Sequence, residues 1–127
     1  MSDITLVHTD KAPAAVGPYS QAAKANGTLY VSGQLGIIPS EGKLADGFEA
    51  QARQALNNLK AILEEAGSSL EKVLAVDVFV TDMGKFADLN AIYSEFFSNH
   101  KPARAAIEVA ALPLGGLVEL KCVALAD

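Results

Sequence analysis

Lys101-Pro102-Ala103-Arg104-Ala105-Ala106-Ile107-Glu108-Val109-Ala110-Ala111-Leu112-Pro113-Leu114-Gly115-Gly116-Leu117-Val118-Glu119-Leu120 governs where the last strands of this chain fall. After Pro102, Ala103, Ala105, Ile107 and Val109 alternate with Arg104, Ala106, Glu108 and Ala110, which is strand periodicity. Pro113, Gly115 and Gly116 interrupt it, and a second strand is expected from about Leu117 to Ala126. Arg104 therefore opens a strand among small apolar neighbours, where an unmet guanidinium is costly to desolvate. Its planar fork fits a carboxylate or phosphate through two parallel hydrogen bonds. Glu119 is the next ionisable group of interest. Two readings stand at this point: a structural Arg–Glu pair, and an anion clamp with a base nearby.

Working outward, Val73–Val80 is rich in β-branched residues and reads as a central strand. Asp46–Ala66 reads as a helix, with Phe48, Ala52, Ala55, Leu59, Ile62 and Ala66 on one face. Asp46 and Glu49 resemble a capping box, and Gly67 stands where a left-handed C-terminal cap is expected. Thr81 or Asp82 can cap a second helix over roughly 84–98, whose apolar stripe is Phe86, Leu89, Tyr93, Phe96 and Phe97. Asn90 lies within that stripe and needs partners. Towards the N-terminus, Ile4–His8 is a short strand, and Asn26-Gly27 joins Ala22–Ala25 to Thr28–Ser32 as a hairpin. Pro39–Leu44 reads as a polar turn.

The order β-β-β-α-β-α-β-β describes a two-layer α+β domain spanning 1–127, with two helices over one face of a mixed sheet of about six strands. The strands at 73–80 and 117–126 are apolar on both sides, so the uncovered face is expected to be buried against another subunit.

The 127 residues suit one domain, and half of them are hydrophobic. Ten basic and 15 acidic residues give a net charge of −5, with no basic cluster, which argues against nucleic-acid binding by phosphate neutralisation. One Cys and two His offer neither a disulfide nor a usual zinc site. No run approaches a membrane span, and no secretory leader pattern opens the chain. A soluble cytoplasmic protein is expected.

Few residues advertise chemistry. Gly33 and Gly36 follow a strand but lack the dinucleotide fingerprint. Cys122 reads as a small buried hydrophobe. His8 and His100 read as surface or packing residues, and Asp77 as a buried, hydrogen-bonded structural residue. Tyr19 follows Gly17-Pro18, a stiff turn. Ser32 and Gly33 end a strand, where free N–H groups could meet an anion.

Gly17-Pro18-Tyr19-Ser20-Gln21-Ala22, Tyr30-Val31-Ser32-Gly33-Gln34, Asp77-Val78-Phe79-Val80 and Pro102-Ala103-Arg104 with Glu119 resemble the reactive-intermediate imine deaminases of the RidA or YjgF type. Phe86, Asn90, Tyr93 and Phe97 also fit, so the resemblance covers nearly the whole chain. It implies a chorismate-mutase-like fold and a homotrimer with clefts between subunits. It further implies hydrolysis of short 2-imino or enamine acids to 2-keto acids and ammonia, with neither metal nor organic cofactor. Arg104 would clamp the substrate carboxylate and Glu119 would orient or activate water. Tyr19, Ser32, Gly33 and Asn90 would line or support the pocket. Ala106 stands where many relatives carry Cys, so only its backbone could act.

A simple hairpin about 113–116 would set Glu119 opposite Glu108, leaving Arg104 roughly 13 Å along the strand. The two side chains are therefore expected to meet across a subunit interface. An RNA-directed translation inhibitor or ribonuclease, and a non-catalytic sensor of small carboxylates, are the alternatives.

Overall fold

Val73–Val80 (β6) is flanked on both sides by strands from the C-terminal third of the chain. The computed structural model describes residues 3–126. With β1 (Thr5–Val7), β2 (Ala22–Ala25), β3 (Thr28–Leu35), β7 (Ala103–Glu108) and β8 (Val118–Leu125), it forms a six-stranded sheet in the order β1-β2-β3-β8-β6-β7. Only β6 and β7 are parallel. This mixed sheet with two helices on one face is the architecture expected from the sequence.

The parallel pair explains the topology. Parallel neighbours need a crossover that returns the chain to the same end, and α2 (Phe86–Phe96) supplies it. Strand β8 then pairs antiparallel with the other edge of β6 and with β3, so β7 and β8 are not hairpin partners.

Helix α1 (Phe48–Glu65) buries Ala52, Ala55, Leu56, Leu59, Ile62 and Leu63 against the sheet. Each fully buried Leu or Ile is worth about 1.5–3 kcal/mol relative to exposure. The helix ends as Gly67 foretold. Gly67 has φ +80°, its N–H donates to Glu64 O at 3.2 Å, and the Ser68 N–H donates to Leu63 O at 2.8 Å. The helix start differs from expectation. Gly47, with φ +89°, holds the cap position and no side chain caps the helix, so Asp46 and Glu49 form no capping box. Asp82 does accept a hydrogen bond from the Gly84 N–H, but it caps a short 3-10 turn (Met83–Lys85) that precedes α2.

Asn26 and Gly27 both have positive φ, +53° and +77°, the turn expected for that dipeptide. Residues 37–44 are more ordered than a turn: β4 (Ile37–Ile38) and β5 (Lys43–Leu44) pair as a small hairpin beside the main sheet.

Val76, Val78, Val80, Leu120 and Cys122 face the helices and are buried. On the opposite face Leu6, Tyr30, Ile107 and Leu125 are about half exposed or more (65%, 56%, 48% and 49%), so this side of the sheet is apolar and open in the single chain. Among the described residues, no helix is long and apolar enough to cross a membrane.

Candidate functional site

Glu119 occupies the open face of β8, paired with Phe79 on one side and Leu35 on the other. The register between β3 and β8 shifts between Val31 and Gln34, so Ser32 and Gly33 form a bulge beside it. The Glu119 carboxylate rests on that bulge. A Cβ added to Gly33 would collide with Oε2 and lie 2.9 Å from Cδ. Burial raises the Glu119 pKa above the ordinary carboxylate range, and the Lys121 charge partly offsets this.

The carboxylate borders a cleft of about 600 Å³ that Tyr19, Ser32, Gly33, Leu35 and Leu114 also line. The Tyr19 N–H donates to Gly17 O at 2.8 Å, which fixes the turn presenting its ring. The segment before it is stapled by buried Gln21. Its Oε1 accepts the Thr9 N–H at 2.7 Å, and its Nε2 donates to Pro13 O at 2.8 Å. Ser32 was expected to end its strand with a free N–H. Instead β3 runs on to Leu35, the Ser32 N–H donates to Gln21 O at 2.9 Å, and its hydroxyl donates to Ser20 O at 2.6 Å. Ser32 thus holds the Tyr19 segment in place.

Arg104 belongs to a second, smaller cleft of about 310 Å³ that also touches Asn90, Tyr93, Lys101 and Pro102. Its Nη1 donates to Asn90 Oδ1 at 2.8 Å. Its guanidinium carbon lies 4.8 Å from the Tyr93 ring centroid and 5.2 Å from that of Phe86. Phe86, Asn90 and Tyr93 recur at helical spacing along one stripe of α2, so one helix face cradles the fork by stacking and by one hydrogen bond. The polar demand of Asn90 within an apolar stripe is met by Arg104. Asn90 thus braces the Arg104 guanidinium.

Ala106 turns its methyl group towards the core. The Val109 N–H donates to Val80 O at 2.8 Å, so alternate residues of β7 spend their backbone groups on β6. Arg104 and Ala106 therefore point their N–H and C=O groups off the outer edge of the sheet.

The register separates the two groups of residues. Arg104 pairs with Val76, and Glu119 pairs with Phe79, three residues along β6. An odd offset puts the side chains on opposite faces. Two strand spacings and three residue rises place the Cα atoms roughly 14 Å apart. Within one chain Tyr19, Ser32 and Gly33 accompany Glu119, Asn90 accompanies Arg104, and no Arg104–Glu119 ion pair forms.

Other expectations are corrected or met locally. Asp77 is not buried: its side chain is 44% exposed on the open face, 3.9 Å from Lys121 Nζ. Cys122 is buried, and burial pushes its thiol up to about 12. His8 pairs with Asp10, and His100 Nε2 lies 2.6 Å from Val73 O. Among the described residues, no three His, Cys, Asp or Glu side chains gather to hold a metal ion.

Sequence reasoning missed two buried amides on α1. Gln51 donates to Ala45 O at 3.1 Å and accepts the Leu117 N–H at 2.9 Å, tying the cleft rim to the helix. Asn58 donates to Leu35 O at 3.1 Å and Ile37 O at 2.9 Å. The available signal was two polar residues seven apart on the helix face that packs inward.

Residues 9–126 match the family described as Endoribonuclease L-PSP. The chain is 47% identical over 120 residues to the mouse 2-iminobutanoate/2-iminopropanoate deaminase, covering 94% of this chain and 89% of that protein. Its structure is similar to that of RidA from the Antarctic bacterium Psychrobacter sp. PAMC 21119, with a TM-score of 0.93, 50% identity, and coverage of 95% of this chain and 98% of that one. It is also similar to an Entamoeba histolytica protein of the endoribonuclease L-PSP type, with a TM-score of 0.95, 47% identity, and coverage of 97% and 99%. With the fold, the sequence motifs and these relatives in agreement across nearly its whole length, the chain belongs to the RidA/YjgF family.

Proposed function

We propose that the protein hydrolyses short 2-imino acids, such as 2-iminobutanoate and 2-iminopropanoate, to 2-keto acids and ammonia, in clefts shared between subunits of a homotrimer. The reading rests above all on the division of the polar residues. Each chain carries a braced guanidinium at one sheet edge and a desolvated carboxylate over a bulge on the opposite face. A neighbour packed on the open apolar face would bring one of each together and bury Leu6, Tyr30 and Ile107. The relatives named as imine deaminases support the same reaction.

Arg104 grips the substrate carboxylate through two parallel N–H···O bonds. This fixes C2 of the protonated imine, already electrophilic, so no metal or organic cofactor is required. Glu119 takes a proton from a water as its oxygen bonds to C2. Its raised pKa brings its basicity closer to that task. Glu119 then returns that proton to the nitrogen of the tetrahedral adduct and takes the hydroxyl proton as the C–N bond breaks, so that ammonia leaves and the C=O forms. Tyr19 and the outward backbone groups of Ala106 close the pocket around the reacting centre.

An RNA-cleaving reading draws on the name of the matched family and of the Entamoeba protein. The net charge of −5 and an aromatic-flanked Arg104 whose cleft adds only Lys101 as a further cation favour a small planar acid over a polyphosphate strand. The test is to generate 2-iminobutanoate in situ and follow 2-ketobutanoate release. Acceleration by wild type and loss with Arg104→Ala are expected. Unaccelerated release, or RNA cleavage that persists through repurification and depends on Arg104, would overturn the proposal. Binding of 2-ketobutanoate without acceleration would instead favour the sensor.

A further inference from the structure

Gly33 has an ordinary backbone conformation: it is not among the glycines with positive φ. Nothing in its φ demands glycine, unlike Gly27 or Gly67. The demand comes from space. A Cβ there would overlap Glu119 Oε2 and approach Cδ at 2.9 Å and Cγ at 3.3 Å. The nearest atoms all belong to one side chain, and that side chain is the carboxylate of the large cleft. The β3 bulge, forced by the register shift between Val31 and Gln34, turns this bare backbone towards β8.

We propose that Gly33 is a positioning residue for Glu119: the absent side chain on the β3 bulge provides the seat that holds the carboxylate against the cleft wall. The proposal deepens the deaminase reading but also stands on geometry alone. With any side chain at position 33, Glu119 must rotate into the open cleft or towards Lys121. It then loses both its desolvation and its place relative to the bound acid. Seated, Glu119 is faced by Tyr19 from the preceding loop, by Lys121 on its own strand, and by Asp77 on β6, paired with Lys121. The stretch of β3 beside it and the 113–114 turn contribute no charge.

Gly33→Ala tests this directly, because alanine accepts the native φ. Its Tm is expected to stay close to that of wild type. In protein labelled with 13C at glutamate carboxyls, the Glu119 resonance is expected to titrate at a lower pH in Gly33→Ala than in wild type. In the imine assay, kcat is expected to fall about 10–100-fold with little change in KM, the signature of a displaced base with the clamp intact. In a Glu119→Ala background, where no carboxylate remains to be displaced, Gly33→Ala is expected to cost the residual activity less than about threefold further. Unchanged titration of Glu119 in Gly33→Ala would overturn the proposal, as would an equal loss in the Glu119→Ala background. Should wild type lack deaminase activity, the titration still decides the role of Gly33, so the two readings fail separately.

Discussion

Arg104 and Glu119 project from opposite faces of one sheet, in register with Val76 and Phe79 of the strand between them. No side-chain rotation changes that relationship, since it follows from strand parity. The guanidinium is braced by α2, and the carboxylate is seated on the β3 bulge. Each half is built independently, and each can be tested independently.

The Arg104 half predicts that lysine is no substitute. An ammonium keeps the charge but loses the two-pronged grip and the stacking on Tyr93 and Phe86. Arg104→Lys is expected to reduce kcat/KM by about 10²-fold or more, with the fold unchanged by circular dichroism. The Tyr93 hydroxyl is buried with no hydrogen-bond partner among the described residues. Tyr93→Phe should therefore be neutral or stabilising, whereas Tyr93→Leu, which removes the ring, should raise KM. A Tyr93→Phe variant as impaired as Tyr93→Leu would contradict the stacking role.

Glu119 predicts a conflict between stability and activity. Its pKa is raised in the folded protein, so the contribution of this group to stability is full below its unfolded pKa. That contribution is lost as pH rises through the folded value. At neutral pH the charged form is therefore a burden. Glu119→Gln should abolish most activity yet raise Tm by about 1–3 °C at pH 7, with the gain shrinking towards pH 4. The acidic limb of the kcat/KM profile should lie above the range of an ordinary glutamate. Differential scanning calorimetry and a pH–rate series measure both.

Much of this was legible in the sequence, for identifiable reasons. The α1 stripe, the Asn26-Gly27 turn and the Gly67 cap are local patterns, and they appear where the spacing put them. The partner strand of Ala103–Glu108 was not legible, because pairing depends on where α2 returns the chain and not on the residues between the strands. Asp77 was misjudged because an apolar strand does not disclose which of its faces is covered. The separation of Arg104 from Glu119 was expected, but from a hairpin that does not form; their placement on opposite faces follows only from the register. The stacking role of Phe86 and Tyr93 was hidden because core packing gives the same periodicity.

Gln51 predicts a stability cost away from the chemistry. Gln51→Leu leaves the Ala45 carbonyl and the Leu117 N–H without their buried partner. A loss of about 1–3 kcal/mol is expected in urea melts. KM should also rise, because the 113–117 rim of the cleft loses its tether. An unchanged melt would show that those groups find other partners.

Cys122 predicts silence. Buried and with its thiol pushed up to about 12, it should resist thiol reagents in the folded protein and react fully once unfolded in denaturant. Rapid labelling of native protein, followed by mass spectrometry, would contradict the packing of β8 under α1.

The measurement that bears most directly on the shared cleft is complementation between two inactive chains. Arg104→Ala and Glu119→Gln, each inert alone, are coexpressed with different tags and purified as mixed oligomers. If each cleft takes its guanidinium from one subunit and its carboxylate from the next, one of the three clefts in every mixed trimer is intact, and 2-ketobutanoate release returns to about a third of wild type. Mixed oligomers as inert as either parent would contradict the account, because they would place both groups in a pocket belonging to one chain.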